Sequence, residues 1–465
     1  MGAVCKFGLL GQHLSHSFSP KIHKLLAGYD YGLFEVEPEG LRDFLEGEAG
    51  HGAGYAEERV SSSPAARQAG ERVLSSLAAG YSNKGTADAP VPQSGSNGII
   101  GMNVTIPYKK SVLPHLTRIS DEARRIGSVN TLVRLPDGWH GYNTDYFGFQ
   151  YMVEKTGYDI RGKRGLVLGS GGASAAVTKA LNDMDAEFTV ISRSGPDNYE
   201  NLDKHTHAQF IVNATPVGMY PDNEKSPLSL SLFPHLEAVF DLIYNPALTA
   251  LLLEAEERGL VYSNGLSMLV GQAARSAEYF LEALDPGKSP KIPNEKIDEV
   301  TEILRKETQN IILIGMPGSG KTLIGEKLAK KLSRPFLDLD IELKLRQGRS
   351  PSEIIKTDGE AAFRKLESEL IREVGKLSGQ VISTGGGAVT VLENKNSLHQ
   401  NGAIIWLKRS LDKLETIDRP ISAAKGIERL YAEREPLYAA FSDLEINNDG
   451  DSKDTVSHIM NALRL

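Results

Sequence analysis

Two short apolar runs in this chain end in glycine-rich turns that open onto helix-forming sequence: GLVLGSGGASAAVTKAL from Gly165 and NIILIGMPGSGKT from Asn310. A strand that feeds a tight glycine turn and then a helix gathers backbone N–H groups at the helix N-terminus, where a phosphate can approach. The turns at Gly169 and Gly315 lie too far apart in sequence to share one nucleotide economically, so two nucleotide sites are expected. Other β-like runs, such as FTVIS, alternate with segments of helical period, the pattern of parallel sheets covered by helices. The fold class is therefore α/β, and 465 residues at about 150 per domain suggest about three compact units.

Composition narrows the functional classes. Acidic residues outnumber basic ones, 60 to 52, and the formal charge of -8 offers no general attraction to nucleic acid or an anionic membrane. One cysteine, Cys5, excludes an intrachain disulfide and a cysteine-rich metal site, which fits a reducing cytoplasm. The start MGAVCKFGLLGQ lacks a basic stretch followed by a long apolar one, and no apolar run reaches the ~18 residues that span a bilayer. Neither secretion nor membrane insertion is expected, and Lys6 stands where a myristoylation signal after Gly2 needs Ser or Thr.

Residues 47–96 are dominated by Gly, Ala, Ser and Pro and read as a mobile surface insertion. Within it, Ser63 and Pro64 would start a short helix carrying Val73, Leu74 and Leu77. The stretch DPGKSPKIP at 285–293, followed by a charged helical segment from Asn294 to Glu307, reads as a linker over 285–308.

At the first turn, Gly169, Gly171 and Gly172 let a pyrophosphate approach the backbone. The next strand ends in Ser192 and Arg193, where an NAD enzyme usually has an acid, and Arg193 instead favours a 2'-phosphate. Around this unit lie HSFSP at 16–20, NVTIPYK at 103–109, VNT at 129–131, NTD at 143–145, NATPVGM at 213–219, DLIYNP at 241–246 and NGLSMLVGQA at 264–273. Together, in this order, they resemble shikimate dehydrogenase over nearly all of residues 1–285 outside the insertion.

The resemblance implies a substrate domain over 1–147, a Rossmann NADP domain over 148–255 and helices at 256–284 that return to the substrate domain. It implies Lys109 and Asp145 as the catalytic pair, Ser17 and Ser19 on the substrate carboxylate, Thr105, Asn130 and Gln272 on its ring hydroxyls, and Tyr244 close by. NADP(H) would lie on Gly169, Ser170, Gly171, Gly172, Ala173, Arg193 and Gly265. An ammonium suits the reaction because ketone reduction builds negative charge on oxygen. Many relatives carry a second basic residue after the Arg193 position. Gly195, Pro196, Asp197 and Asn198 follow here, so a weaker NADP preference is expected.

The second turn, GMPGSGKT at 315–322, satisfies G-x-x-x-x-G-K-[ST] between a strand and a helix. Gly315, Gly318, Ser319, Gly320, Lys321 and Thr322 would bind ATP, with Lys321 on the β and γ oxygens and the Thr322 hydroxyl on Mg2+. The segments FLDLD at 336–340, GEAAFRKLE at 359–367, STGGGAV at 383–389, DRP at 418–420 and EREPLY at 433–438 resemble shikimate kinase, over residues 309–465. That likeness implies a P-loop kinase domain with a parallel sheet. In it Asp338 holds Mg2+ through water, Asp340 orients the accepting hydroxyl, and Arg364 and Arg434 clamp the acceptor carboxylate beside Gly386 and Gly387. Arg419 looks like a lid arginine that steadies the transferring phosphoryl group. The stretch from Trp406 to Arg419 is shorter than in typical relatives and no adenine-flanking arginine stands out in it, so a less effective lid is expected.

The resulting expectation is one polypeptide with two successive activities, NADPH-dependent reduction of 3-dehydroshikimate to shikimate and ATP-dependent phosphorylation of shikimate. Two other readings stay open at this point: a first half that acts on quinate with NAD, against which Arg193 argues, and a second half that binds nucleotide without phosphoryl transfer. The sequence sets no oligomeric state.

Overall fold

The computed structural model describes residues 6–14, 17–47, 98–414 and 426–465. Apart from Gly47, the expected insertion with its short helix lies outside the described residues, and so does Arg419. The chain divides into two compact units. The first holds Met1–Val217, Ser226–Tyr244 and Glu254–Glu302, and the second Gly218–Lys225, Asn245–Leu253 and Ile303–Leu465.

The first unit contains two sheets among its described residues. One is mixed, in the order β2-β1-β3-β5-β6-β4, from β1 (Phe7–Gly11), β2 (Tyr31–Glu35), β3 (Gly101–Val104), β4 (Arg118–Ile119), β5 (Thr131–Leu135) and β6 (Gly138–Tyr142). β1 runs parallel to β2 and β3, whereas β5 runs antiparallel to both β3 and β6. This register decides where chemistry can gather. Leu10 pairs with Val104, Asn103 with Thr131, and Thr131 with Tyr142, so the chain leaves β1, β3 and β6 and enters β5 at one edge of the sheet.

The other sheet is wholly parallel, β11-β10-β9-β7-β8, from β7 (Arg164–Leu168), β8 (Glu187–Ile191), β9 (Phe210–Asn213), β10 (Ala238–Asp241) and β11 (Val261–Ser263). β9 and β10 are buried at every position, as strands covered by helices on both faces must be. The order reverses beside β7, which is followed by β8 on one side and flanked by β9 on the other. The crevice beyond the carboxyl end of β7 is where such sheets take ligands. The helix Leu266–Leu284 packs on the helices Asp145–Thr156 and Ser19–Ala27 and on β3 and β5, with Val270, Ala273, Ala274, Ala277 and Phe280 buried along one stripe and Met268 buried on the other side. Each large apolar side chain buried this way stabilises the fold by about 2 kcal/mol.

Within the stretch expected as a linker, the helix Asn294–Thr308 carries Ile297, Val300 and Leu304, all buried. Inside the first unit, the Tyr151 hydroxyl donates to Asp298 Oδ1 at 2.6 Å, Lys155 Nζ donates to Asp298 Oδ2 at 2.7 Å, and Ile292 N donates to Glu278 Oε1 at 2.9 Å.

The second unit is built on the parallel sheet β13-β14-β12-β15-β16, from β12 (Asn310–Ile314), β13 (Phe336–Asp338), β14 (Val381–Ser383), β15 (Gly402–Lys408) and β16 (Leu444–Asn447). Ile311, Leu313, Ile324, Leu328, Val381, Ile405, Leu407, Val456 and Ile459 form its core. The central strand, β12, is flanked by β14 on one side and β15 on the other. The carboxyl ends of all five strands point to one edge.

Candidate functional site

At the shared edge of the mixed sheet, the short helix Tyr108–Ser111 carries Lys109, and the helix Asp145–Thr156 begins with Asp145. Lys109 Nζ donates to Asp145 Oδ2 at 2.5 Å. Asn130, at the entry to β5, donates through Nδ2 to Asp145 Oδ1 at 2.9 Å and to Gln272 Oε1 at 3.4 Å. Lys109, Asp145, Asn130 and Gln272 are thus brought together by direct hydrogen bonds. Thr144, which was not singled out from the sequence, joins them: its N–H donates to Asn130 Oδ1 at 2.8 Å and its hydroxyl to Gln272 Oε1 at 3.3 Å. Its position beside Asp145 in the NTD segment is the signal that marks it.

The other expected substrate residues sit at the same edge. Ser17 Oγ accepts from Ser19 N at 3.2 Å, at the start of the helix Ser19–Ala27. Thr105 follows β3 and is anchored by its N–H on Leu10 O at 2.9 Å. None of the three bonds directly to the Lys109–Asp145 pair. Tyr244 lies 5.9 Å from the Phe18 ring, centroid to centroid, and burial raises its phenol pKa.

Beyond β7, Gly169 adopts a φ of 100°, and its N–H donates to Ile191 O at 2.8 Å. The helix Gly172–Asp183 has no side-chain cap and no acidic residue in its first turn, so its N–H groups remain for an anion. Side-chain atoms at Gly171 or Gly172 would meet nothing within 4 Å: the space above this turn is open. Arg193 is exposed in the loop after β8, and its charge is felt by the nearby Tyr199 phenol. Asp197 in that loop is engaged by His205 Nε2 at 2.9 Å. Gly265 caps the helix Leu266–Leu284, packed so closely that a Cβ there would lie 2.0 Å from Leu242 O.

In the second unit, each strand of the sheet delivers a functional group from its carboxyl end. β12 leads into the turn Gly315–Gly320, and Lys321 Nζ folds back onto Gly315 O at 2.9 Å and Met316 O at 3.0 Å. The helix Lys321–Leu332 likewise has no side-chain cap and no acid in its first turn. β13 ends in Asp338, whose Oδ2 accepts from the Thr322 hydroxyl at 2.6 Å and whose Oδ1 caps the next helix through Asp340 N at 3.1 Å. A hydroxyl beside a carboxylate is the sparse oxygen set that Mg2+ takes when nucleotide phosphates and water supply its other ligands, so Thr322 and Asp338 fit that ion.

β14 leads into Gly385–Gly387, around which the residues expected to hold the acceptor converge. Arg434 Nη1 donates to Gly386 O at 3.0 Å, a Cβ on Gly387 would meet the Arg364 guanidinium, and one on Gly385 would lie 3.0 Å from Asp340 Oδ1. Glu367, one turn after Arg364, was quoted in its motif without a role. Its Oε2 accepts from Arg364 Nη1 at 2.6 Å, while burial raises the Glu367 pKa against the pull of Arg364. Glu367 Oε1 and Arg364 Nε are buried without a partner among the described residues.

Two further groups escaped the sequence reading. Arg409, beyond β15, donates through Nη1 to Gly318 O at 3.1 Å, and Asn448, beyond β16, donates through Nδ2 to Ser319 O at 2.7 Å. Thr455 in turn donates to Asn448 Oδ1 at 2.8 Å. These side chains hold the carbonyls of the phosphate turn from behind. The only sequence signal for them is their place at strand ends.

Comparison with known proteins agrees with this division. The family model described as Shikimate dehydrogenase substrate binding domain matches residues 75–132, and the one described as Shikimate kinase matches residues 317–464. A curated relative from Clostridium beijerinckii, shikimate dehydrogenase (NADP(+)), is 32% identical over 293 residues, covering 59% of this chain and 92% of the relative. Another of that name from Synechocystis is 34% identical over 311 residues, covering 60% of this chain and 91% of the relative. The crystal structure of shikimate dehydrogenase 1 from Peptoclostridium difficile is 34% identical, covers 64% of this chain and 97% of that one, and gives a TM-score of 0.47.

Proposed function

The chain belongs to the shikimate dehydrogenase family and carries a shikimate kinase domain at its C-terminal end, and from that premise we propose how its residues divide the work. It is a bifunctional enzyme of the shikimate pathway that uses NADP in one half and ATP in the other. A quinate-directed first half is not favoured, since the curated relatives above are NADP-linked shikimate dehydrogenases. Among the described residues no helix is long and apolar enough to cross a membrane. We place the enzyme in the cytoplasm, acting on the small molecules 3-dehydroshikimate and shikimate.

The observation that carries the dehydrogenase reading is the 2.5 Å contact between Lys109 and Asp145 at the edge where Asn130 and Gln272 also lie. Lys109 holds a proton beside the substrate's 3-keto oxygen and gives it up as charge builds there, while Asp145 keeps the ammonium aimed. Ser17 and Ser19 take the carboxylate, and Thr105, Asn130 and Gln272 the ring hydroxyls. NADP(H) would be held by residues 169–173, Arg193 and Gly265, and would supply the hydride when bound.

In the kinase half, Arg364 and Arg434 clamp the shikimate carboxylate with paired donors that match its two oxygens. Asp340 orients the 3-hydroxyl and receives its proton. Lys321 turns from the turn carbonyls to the phosphates when nucleotide binds. Thr322 and, through water, Asp338 would hold Mg2+, which would supply positive charge against the phosphates.

Paired variants test this division. K109Q should lower shikimate oxidation by about 10²- to 10⁴-fold and leave phosphorylation unchanged, and D340N should do the reverse. Substantial dehydrogenase turnover in K109Q would contradict the assignment.

A further inference from the structure

Behind the catalytic pair lies a buried polar chain whose inner members, His23, Asn103, Thr131 and Ser276, have been assigned to neither cofactor nor substrate. Asn103 stands at its centre, on β3, 4% exposed. Its Oδ1 accepts from the Tyr31 hydroxyl at 2.7 Å and meets His23 Nε2 at 3.1 Å. The other nitrogen of that ring, Nδ1, lies 2.7 Å from the Tyr29 hydroxyl. Because Asn103 Oδ1 only accepts, Nε2 carries the His23 proton, and Nδ1 of the neutral ring accepts from Tyr29.

The amide nitrogen of Asn103 then has a forced direction. Its two hydrogens are shared among Ser276 Oγ at 2.7 Å, Thr131 Oγ1 at 3.1 Å and Asn130 O at 3.3 Å. Having accepted from Asn103, the two hydroxyls spend their own hydrogens onward, Thr131 on Asn130 Oδ1 at 3.0 Å and Ser276 on Gln272 O at 2.8 Å. Asn130 Oδ1 is thereby an acceptor, which it also is for Thr144 N, and its amide cannot turn over. Only this orientation points Asn130 Nδ2 at Asp145 Oδ1.

We propose that Asn103 is a positioning residue for the dehydrogenase: through Thr131 it sets the orientation of Asn130, and through Asn130 the placement of Asp145 against Lys109. The proposal rests on Lys109 and Asp145 being the catalytic pair. Asn103 is not a catalytic residue, since its side chain is spent entirely on protein groups. The path from His23 through Asn103, Thr131 and Asn130 to Asp145 runs in one sense, so reversing the donor at Asn103 leaves the Thr131 and Ser276 hydroxyls, which also lie 2.9 Å apart, competing to reorient. A half-satisfied buried network is costly and loses its unique arrangement.

Thr131 separates positioning from packing. T131V keeps the volume and deletes the hydroxyl, whereas T131S keeps the hydroxyl and deletes a methyl group. Positioning predicts that T131V loses roughly tenfold or more in kcat for shikimate oxidation, with KM for NADP+ unchanged, and that T131S stays within about threefold of wild type. N103D should behave as T131V does. NADP+ affinity checks that the unit is folded, and where N103D fails that check the Thr131 pair still decides. The opposite order, T131S impaired and T131V normal, overturns the proposal in favour of packing. Measured alongside, K109Q keeps the two claims apart: an active K109Q defeats the catalytic assignment, while an inactive K109Q with a normal T131V defeats the positioning role alone.

Discussion

The two glycine turns look alike in sequence but need their glycines for different reasons. In the second turn, Gly318 and Gly320 hold φ values of 85° and 91°, and a Cβ on Gly320 would lie 2.6 Å from Asn448 Nδ2. Backbone conformation and a bracing side chain demand glycine there even without a ligand. In the first turn, Gly171 has a φ of -80° and open space where a Cβ would stand. That glycine costs the empty protein nothing to replace, and what it leaves room for is the cofactor. A shared motif thus hides a difference at the helix entry: Gly169, like Gly318 and Gly320, is set by backbone shape, whereas Gly171 leaves room for its ligand's approach.

The strongest way to break this comparison is G320A. An alanine in that region carries about 1–3 kcal/mol of strain and must displace Asn448, so kinase activity should fall by about a hundredfold or more and the kinase unit should melt earlier. Unaltered melting and ATP turnover would show that the brace yields freely. Next in size, G171A should raise KM for NADPH by about tenfold or more with no change in melting temperature, because the methyl meets only the incoming cofactor. A destabilised G171A with normal NADPH affinity would make the two turns equivalent after all.

A smaller effect sharpens the contrast between the units through pH. Burial lowers the His23 pKa from 6.5 to about 3, so the unfolded chain takes up a proton between those values and the folded one does not. The His23 contribution is fully present above pH 6.5 and is lost as pH falls toward 3, at about 1.4 kcal/mol per pH unit. Glu367 carries the opposite sign: burial raises its pKa above 4.5, so its contribution is present below that value and lost as pH rises through the folded-state pKa. Urea unfolding of H23Q at several pH values should show a flatter acid limb for the dehydrogenase unit alone. An unchanged limb would place the acid sensitivity elsewhere.

How much was legible in the sequence follows the reach of each interaction. Strand, turn and helix are local, so both glycine turns and the α/β alternation could be read directly. Lys109, Asp145, Arg364 and Arg434 stood out because each sits in a motif several residues long. Asn103 and Thr131 lay inside such motifs without a role, since Asn103 meets Ser276, on the helix Leu266–Leu284, across 173 positions and only the packing of that helix on the sheet brings them together. Asn448 reaches Ser319 across 129 positions and lies in no motif at all. Glu367 was visible in its segment, but its role needed the helical frame that sets it one turn from Arg364.

The two-activity account is tested most directly by giving the purified chain 3-dehydroshikimate, NADPH and Mg-ATP while following NADPH absorbance and identifying products by mass spectrometry. Shikimate 3-phosphate formed in step with NADPH loss is the predicted result. NADPH loss with accumulation of unphosphorylated shikimate, or no NADPH loss at all, would contradict it.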